Sequence, residues 1–287
     1  YADTLTLHYY VFFSNKKTVS AIIPFAFHPY IHIIYQKYTL IFILTQQLLP
    51  LQYFILSNTI KIQIIYHVRD YAMRNILVVL NSALCTLFIV LNTTFWGIIS
   101  VTSIIYNPGG TVAFFCMQWW SKTVLWFCRV KMSVQGIENI KPDTIQIFAS
   151  NHTSHFDIFV LSAISPVRFG WVAKKELFKI PFLGWHMKLQ GYVSIDRKHR
   201  DKAIESLNYA AEQIRNGKRI AMFPEGTRTR EGALQPFKKG LFHLCVRTGV
   251  PIVPIIIEGA YDVLKPESII IRPGSVFVNI GEELPTA

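Results

Sequence analysis

Thr144-Ile145-Gln146-Ile147-Phe148-Ala149-Ser150-Asn151-His152-Thr153-Ser154-His155-Phe156-Asp157 decides how this chain is read. Thr144 to Ala149 reads as a strand, and Ile158 to Ile164 as an apolar, helix-like segment. Between them a histidine stands five residues ahead of an aspartate. A neutral imidazole can take a proton from a hydroxyl near neutral pH. A carboxylate behind the ring fixes its tautomer and stabilises the imidazolium that forms. A turn between strand and helix would bring His152 and Asp157 together as base and orienter. No serine or cysteine nucleophile completes a triad, so the activated hydroxyl would belong to the substrate. A histidine that caps or packs at a strand end is the competing reading, and this spacing alone does not separate the two.

Outward from this stretch, strand-like runs recur at Arg168–Ala173, Gln190–Ile195, Arg219–Phe223, Pro251–Ile257 and Ser275–Ile280. Helical patterns lie between them. The clearest is Lys202 to Asn216, with Ala203, Leu207, Ala210, Ala211 and Ile214 at helical spacing and Gly217 as the stop. Strands alternating with helices predict an α/β fold: a central, mostly parallel sheet flanked by helices, preceded by an N-terminal membrane-associated helical segment.

That segment runs from Met73 to Val130. Ile76 to Tyr106 is apolar and carries no charge, long enough for one tilted span. Asn92-Thr93-Thr94 interrupts it, so a hairpin dipping into one leaflet fits as well. Asn107-Pro108-Gly109-Gly110 breaks the helix. Residues 111–130 interleave Phe114, Phe115, Trp119, Trp120, Trp126 and Phe127 with Lys122 and Arg129. This pattern suits a membrane interface or a helix packed on the core. Residues 1–72 differ from the rest: they hold no Gly, Trp, Cys or Glu, and the first methionine is Met73. They are expected to be an extension upstream of a start at Met73. The rival expectation is a real membrane segment around Tyr38–Phe54. The chain ends at Ala287 without a closing element, which suggests a C-terminal truncation.

The apolar fraction is 51%, high for a purely soluble protein, and the formal charge of +12 suggests an anionic partner. Cys85, Cys116, Cys128 and Cys245 show no metal-type spacing and read as reduced, structural thiols. A phosphate-binding P-loop, a dinucleotide fingerprint and a GxSxG elbow are all missing from the sequence. A metal pair of His152 and His155 with Asp157 finds no further ligand cluster, so no metal is expected.

Phe223-Pro224-Glu225-Gly226-Thr227-Arg228 follows a strand, and strand ends are where ligands sit in open α/β sheets. Gly226 lets backbone approach a ligand, and Arg228 can hold a phosphate with two parallel hydrogen bonds. Thr227 adds a hydroxyl donor, and Glu225 can accept from a substrate hydroxyl. Lys174 and Lys175 also follow a strand and could hold a phosphate as point charges. Gly191 to Arg197 is strand-like and supplies Arg197 as a further phosphate candidate, with Asp196 as its ion-pair partner. Lys198, His199 and Arg200 read as a solvated basic turn. Val250 to Pro254 reads as a buried strand with edge prolines, open to lining an acyl-chain groove. His186 and His243 read as core or interface residues.

Together, Asn151-His152-x4-Asp157, Gly191–Arg197, Phe223–Arg228 and Val250–Pro254 resemble, in order and spacing, the glycerolipid acyltransferases. The resemblance is strongest to bacterial 1-acyl-sn-glycerol-3-phosphate (lysophosphatidic acid) acyltransferases. It covers Met73 to the C-terminus, which implies an acyltransferase α/β domain over residues 131–287 and a membrane anchor over 73–130. It implies His152 as general base and Asp157 as its orienting partner. Arg228, with Lys174 or Lys175, would bind the acceptor phosphate. Glu225, Gly226 and Thr227 would shape the glycerol site, and Arg197 would assist. The implied reaction moves an acyl group from acyl-CoA or acyl-acyl carrier protein to the sn-2 hydroxyl of lysophosphatidic acid, giving phosphatidic acid. No metal or redox cofactor is implied. The implied partners are these substrates and the lipid bilayer, with the catalytic domain on the cytoplasmic side of an inner or plasma membrane.

Two other readings stay open at this point. One is a related acyltransferase with another acceptor, such as glycerol 3-phosphate or a different lysolipid. The other is a non-catalytic membrane protein that binds anionic lipid. A nucleic-acid partner is not expected, because the positive charge is not gathered into a run and the apolar segment would have no role.

Overall fold

The computed structural model describes residues 8–13, 17–22, 28–107, 110–197 and 199–286. Pro108 and Gly109 of the expected helix break, Lys198 of the basic turn, Ala287 and parts of the 1–72 segment lie outside the described residues. The chain divides into two compact units, Tyr1–Met73 and Arg74–Ala287. In the first, β1 (His8–Phe13) and β2 (Lys17–Ile22) form an antiparallel hairpin. The helix α1 (His28–Thr102) begins there and includes the Tyr38–Phe54 run. Its Leu56–Ile105 portion is long and apolar enough to cross a membrane.

The second unit carries the site. It holds the last part of α1, then α2 (Thr111–Phe127), β3 (Val130–Gln135), β4 (Ile147–Ser150) and α3 (Phe156–Ile164). After these come β5 (Gly170–Lys174), α4 (Leu183–Leu189), β6 (Val193–Ile195), α5 (Arg200–Arg215) and β7 (Ile220–Met222). The chain closes with α6 (Gly240–Thr248), β8 (Ile252–Glu258), α7 (Ala260–Val263) and β9 (Gly274–Ile280). Seven strands form one sheet in the order β3-β9-β8-β4-β7-β5-β6. Every neighbouring pair is parallel except β8 and β9.

Alternation along the strands explains why both faces are covered. Ile147, Val172 and Ile220 pack with Ile214 of α5 and Leu244 of α6. Their neighbours Phe148, Trp171 and Ala221 pack on the other face with Phe156 and Leu161 of α3 and Val263 of α7. Successive side chains in a strand point to opposite faces, so a parallel sheet buried on both sides reads as a continuous apolar run. Strand β3 is the one member of the large sheet that the sequence pattern does not announce. It is an edge strand with only Val130 buried, so its sequence carries little apolar signal.

The helix does not break at Asn92-Thr93-Thr94. The hydroxyls of Thr93 and Thr94 donate to the carbonyls one turn back, Ile89 and Val90, at 2.6 and 3.0 Å. Asn92 faces α2, where its amide donates to the Trp120 carbonyl at 3.0 Å and its oxygen accepts from Thr123 at 3.1 Å. The indole N–H of Trp120 in turn donates to Thr93 Oγ1 at 2.9 Å. The three polar residues thus fasten α1 to α2. A hairpin of helices does form, but its bend lies after Thr102.

On the opposite side of α1, Leu80, Leu84, Leu87, Leu91 and Phe95 are each more than half exposed and fall at helical spacing. On α2, Trp119 and Trp126 are exposed, while Phe127 stacks on Phe88 with ring centroids 4.0 Å apart. Each helix therefore has a packed face and an apolar face left open, which is the surface a membrane would cover.

Replacing Asn92 with Ala should cost about 1–2 kcal/mol of stability, since it removes two interhelical hydrogen bonds from a buried position. Denaturant unfolding of the variant against the parent checks it. An unchanged midpoint would show that the polar seam does not hold the two helices together.

Candidate active site

Adjacent parallel strands β4 and β7 send their following helices to opposite faces of the sheet. Helix α3 joins the core on one face and α6 the core on the other. Where neighbouring connections diverge in this way, a crevice opens beyond the carboxyl ends of the strands. His152 follows β4 and Arg228 follows β7, and both reach that crevice.

The imidazole of His152 is held from four directions. Its Nδ1 lies 2.9 Å from Asp157 Oδ2. Its ring stacks on Phe223, with centroids 3.8 Å apart and planes within 6°. Its backbone N–H donates to Glu225 Oε1 at 2.7 Å, and its carbonyl accepts from the Thr229 N–H at 3.0 Å. Trp171 stacks on the far side of Phe223 at 5.1 Å. With Nδ1–H donated to a carboxylate, the proton sits on Nδ1 and Nε2 keeps its lone pair.

Asp157 is fully buried, and its placement follows from the turn. Oδ2 also accepts from the backbone N–H groups of Thr153 and Ser154 at 2.7 and 2.8 Å. The residue lies in the first turn of α3, where a negative charge is favoured by the helix dipole. Ser154 Oγ accepts from the Phe156 N–H at 3.2 Å and donates to the Leu264 carbonyl at 2.7 Å. The Asn151 side chain exchanges two hydrogen bonds with Ile257 on β8, at 2.9 and 2.7 Å. Asn151, Ser154 and Asp157 thus fix the turn with their side chains, and Thr153 through its backbone N–H.

A cavity of about 790 Å³ opens over His152. Lys174, Arg197, Arg228 and Lys238 line it as cations, and apolar side chains of α1, α2 and α4 line much of the rest. Deeper polar groups form a chain: Ser100 Oγ lies 2.5 Å from His186 Nδ1, and the Tyr192 hydroxyl donates to Met117 Sδ at 2.9 Å. Burial pushes the His186 pKa down to about 4. His155 is open to the cavity, but the protein packed around it, then Arg228 and His152, push its pKa down to about 4. It is therefore neutral at physiological pH.

The expected site residues separate into two groups. His152, Lys174, Arg197, Gly226, Thr227 and Arg228 line the cavity. Asp157, Glu225 and Lys175 do not. Glu225 is 1% exposed, and its second oxygen accepts from the Gln235 N–H at 3.0 Å, so it braces His152 instead of meeting a ligand. Lys175 lies 3.6 Å from Asp196, which also meets His199 at 3.3 Å. Lys174 pairs more loosely with Glu176 at 3.7 Å. Burial lowers the pKa of Arg197, with Glu176 opposing the shift. Val250 to Pro254 contributes to β8 and the loop before it, not to the cavity lining. His243 bonds Asn208 at 3.2 Å, away from the cavity.

Lys238 is the functional candidate that the sequence pattern misses. What approaches the bare α-carbon of Gly226, at φ +71°, is this lysine: an added Cβ would lie 2.8 Å from its Cδ. A lysine pair before a helix gives no signal of its own. Only the Gly226 turn, closed by the Lys238 N–H on the Pro224 carbonyl at 2.8 Å, brings it in. Among the described residues no cluster of side chains is arranged to hold a metal ion. The four cysteines are buried free thiols.

The arrangement can draw a proton from a hydroxyl on a molecule whose anionic group is held by the cations and whose apolar part fills the cavity. Comparisons with known proteins show the family. Residues 131–258 match the family model described as Acyltransferase. The chain is 34% identical to the 1-acyl-sn-glycerol-3-phosphate acyltransferase of Saccharomyces cerevisiae over 75% of this chain and 70% of that protein. It is 37% identical to the enzyme of the same name from Limnanthes douglasii, over 54% of this chain and 55% of that one. Its fold matches the crystal structure of the 1-acyl-sn-glycerophosphate (LPA) acyltransferase PlsC from Thermotoga maritima. The TM-score is 0.64 at 28% identity, covering 75% of this chain and 86% of that one.

Replacing Glu225 with Gln should lower stability by about 1–3 kcal/mol, because an amide can accept from only one of the two backbone N–H groups that the carboxylate serves. Denaturant unfolding measures it. Parental stability would mean that this brace carries no load.

Proposed function

Because the chain belongs to the 1-acyl-sn-glycerol-3-phosphate acyltransferase family, we propose that it acylates the sn-2 hydroxyl of lysophosphatidic acid to give phosphatidic acid. The donor is an acyl thioester, of coenzyme A or of acyl carrier protein. The observation that carries the reading is the 2.9 Å contact of Asp157 with His152 Nδ1, in a cavity shared with four cations.

In this reading Nε2 of His152 takes the proton of the acceptor hydroxyl as its oxygen attacks the thioester carbonyl. A carbon–oxygen bond forms, the tetrahedral adduct collapses, and the carbon–sulfur bond breaks. The imidazolium returns its proton to the leaving thiolate. Asp157 stabilises the imidazolium between the two transfers. The chemistry needs no protein nucleophile, and base and thioester suffice without a further cofactor. Arg228 binds the phosphate as a two-pronged donor, with Lys174, Lys238 and Arg197 around it. Glu225 acts through His152 as a positioning residue.

The exposed apolar faces of α1 and α2 would seat the protein in the bilayer, where the lipid acceptor resides. The formal charge of +12 suits a catalytic unit on the cytoplasmic side of an inner or plasma membrane, where acyl donors are made.

A purified-protein assay tests the proposal, with lysophosphatidic acid and glycerol 3-phosphate compared as acceptors and acyl-CoA and acyl-acyl carrier protein as donors. Lysophosphatidic acid should be acylated and glycerol 3-phosphate left alone. His152→Ala should lower turnover by about 10²–10⁴-fold. Arg228→Gln should act mainly on acceptor KM. Undiminished transfer by the His152 variant would sink the mechanism, and equal use of both acceptors would sink the assignment of substrate.

A further inference from the structure

A second basic pocket lies at the other end of the strands. Its volume is about 310 Å³, and Arg168, Lys218 and Arg219 line it together with His186, Gln190 and Tyr192. Arg168 shortly precedes β5, and Lys218 and Arg219 immediately precede the neighbouring β7. Gln190 and Gly191 come shortly before β6 on the other flank of β5. Strand pairing therefore brings Arg168 to the adjacent pair Lys218 and Arg219. Parallel strands carry the catalytic groups at their carboxyl ends, so this pocket is at the opposite edge of the sheet.

Two of the cations are built into place. Arg219 donates through Nε to the Thr144 carbonyl at 3.0 Å and through Nη2 to the Pro142 carbonyl, which fixes its guanidinium beside the pocket without neutralising it. Lys218 extends over Gly191, which has φ +70°, and a Cβ there would collide with Nζ. The bare α-carbon thus makes room for the ammonium, as Gly226 does for Lys238 in the catalytic cavity. Burial lowers the pKa of Arg219; the Asp143 carboxylate opposes that shift, and the nearby Arg168 adds to it. An anion placed in a depression lined by three cations gains favourable Coulomb energy.

We infer that this pocket is a second anion site, distinct from the catalytic cavity, that takes a phosphate group. Arginine and lysine around a polar depression match tetrahedral oxyanions, with Arg168 and Arg219 as directional donors and Lys218 as a point charge. The phosphate could be a free ion or the headgroup of an anionic lipid, and both present the same oxygens. The occupant would lie against His186 and Tyr192, which also line the catalytic cavity, so the two sites share a wall.

The test uses the full chain in detergent, with inorganic phosphate as probe in calorimetric titration at low salt. The Arg228→Gln background weakens phosphate binding in the catalytic cavity, and the pocket variants added to it, which leave that cavity's lining intact, keep this test separate from the proposed acyl transfer. Binding should persist in that background and weaken about tenfold or more on adding Lys218→Gln or Arg168→Gln, the loss expected for one charge-assisted contact. Both side chains are exposed, and neither lines the catalytic cavity, so folding and basal transfer should be unaffected. Vesicles of phosphatidylglycerol and of phosphatidylcholine are then added as competitors. Displacement by the anionic vesicles alone would identify a headgroup as the source, and no displacement would identify a free phosphate. An absence of both phosphate and anionic-vesicle binding in the Arg228→Gln background would overturn the site. So would binding that both lysine and arginine variants leave unchanged.

Discussion

One buried carboxylate holds the site together. Asp157 Oδ2 accepts from His152 Nδ1 and from two consecutive backbone N–H groups, Thr153 and Ser154. An isolated carboxylate out of water would be very costly, but these donors and the start of α3 offset that cost. The same contacts close the turn between β4 and α3. Folding of the turn and orientation of the imidazole are therefore one event. The Phe223 ring then fixes the plane of the imidazole, and Glu225 and Thr229 hold its backbone. Two adjacent strand ends are clamped by a single histidine residue, which is why the β4 and β7 loops cannot be considered separately.

The architecture makes that clamp possible. Because α3 and α6 leave to opposite faces, a crevice opens beyond the carboxyl ends of β4 and β7. Helices α1 and α2 supply the apolar part of the cavity. They can do so while presenting a second apolar face outward, because Asn92 and Thr93 make their mutual contact polar and specific. Wholly apolar helices in a lipid environment gain little from one another, so side-chain hydrogen bonds carry more of the burden of register. The residues that suggest an interrupted span in the sequence are the ones that join the two helices.

Much of the fold was legible because buried parallel strands write continuous apolar runs, and Ile147-Phe148 or Ile220-Ala221-Met222 can hardly be anything else once helices flank them. Edge strand β3 was not legible, since exposed positions accept almost any residue. Within the site, His152 and Asp157 are near neighbours in sequence and show their spacing. Arg228 shows itself by following a strand. Lys238 reaches the cavity through a turn at Gly226, and Glu225 turns inward to meet His152, so neither fate could be seen from residue type. The same holds for Lys174 and Lys175. They are chemically identical in the sequence, but one lines the cavity and the other is drawn to Asp196.

The two histidines of the central stretch show what residue type alone leaves undecided. His152 and His155 are three residues apart in sequence, and both border the cavity. His152 has a carboxylate behind Nδ1 and a ring against its face. At His155, burial and then the charges of Arg228 and His152 all act to keep the ring neutral, with a pKa of about 4. A neutral imidazole beside a cationic cluster adds no further repulsion there, and it can still donate or accept one hydrogen bond. In the proposed reaction the proton of the substrate hydroxyl goes to the ring that Asp157 backs, because the carboxylate compensates the imidazolium formed there. The position of one carboxylate thus sets apart two side chains that residue type alone makes equivalent.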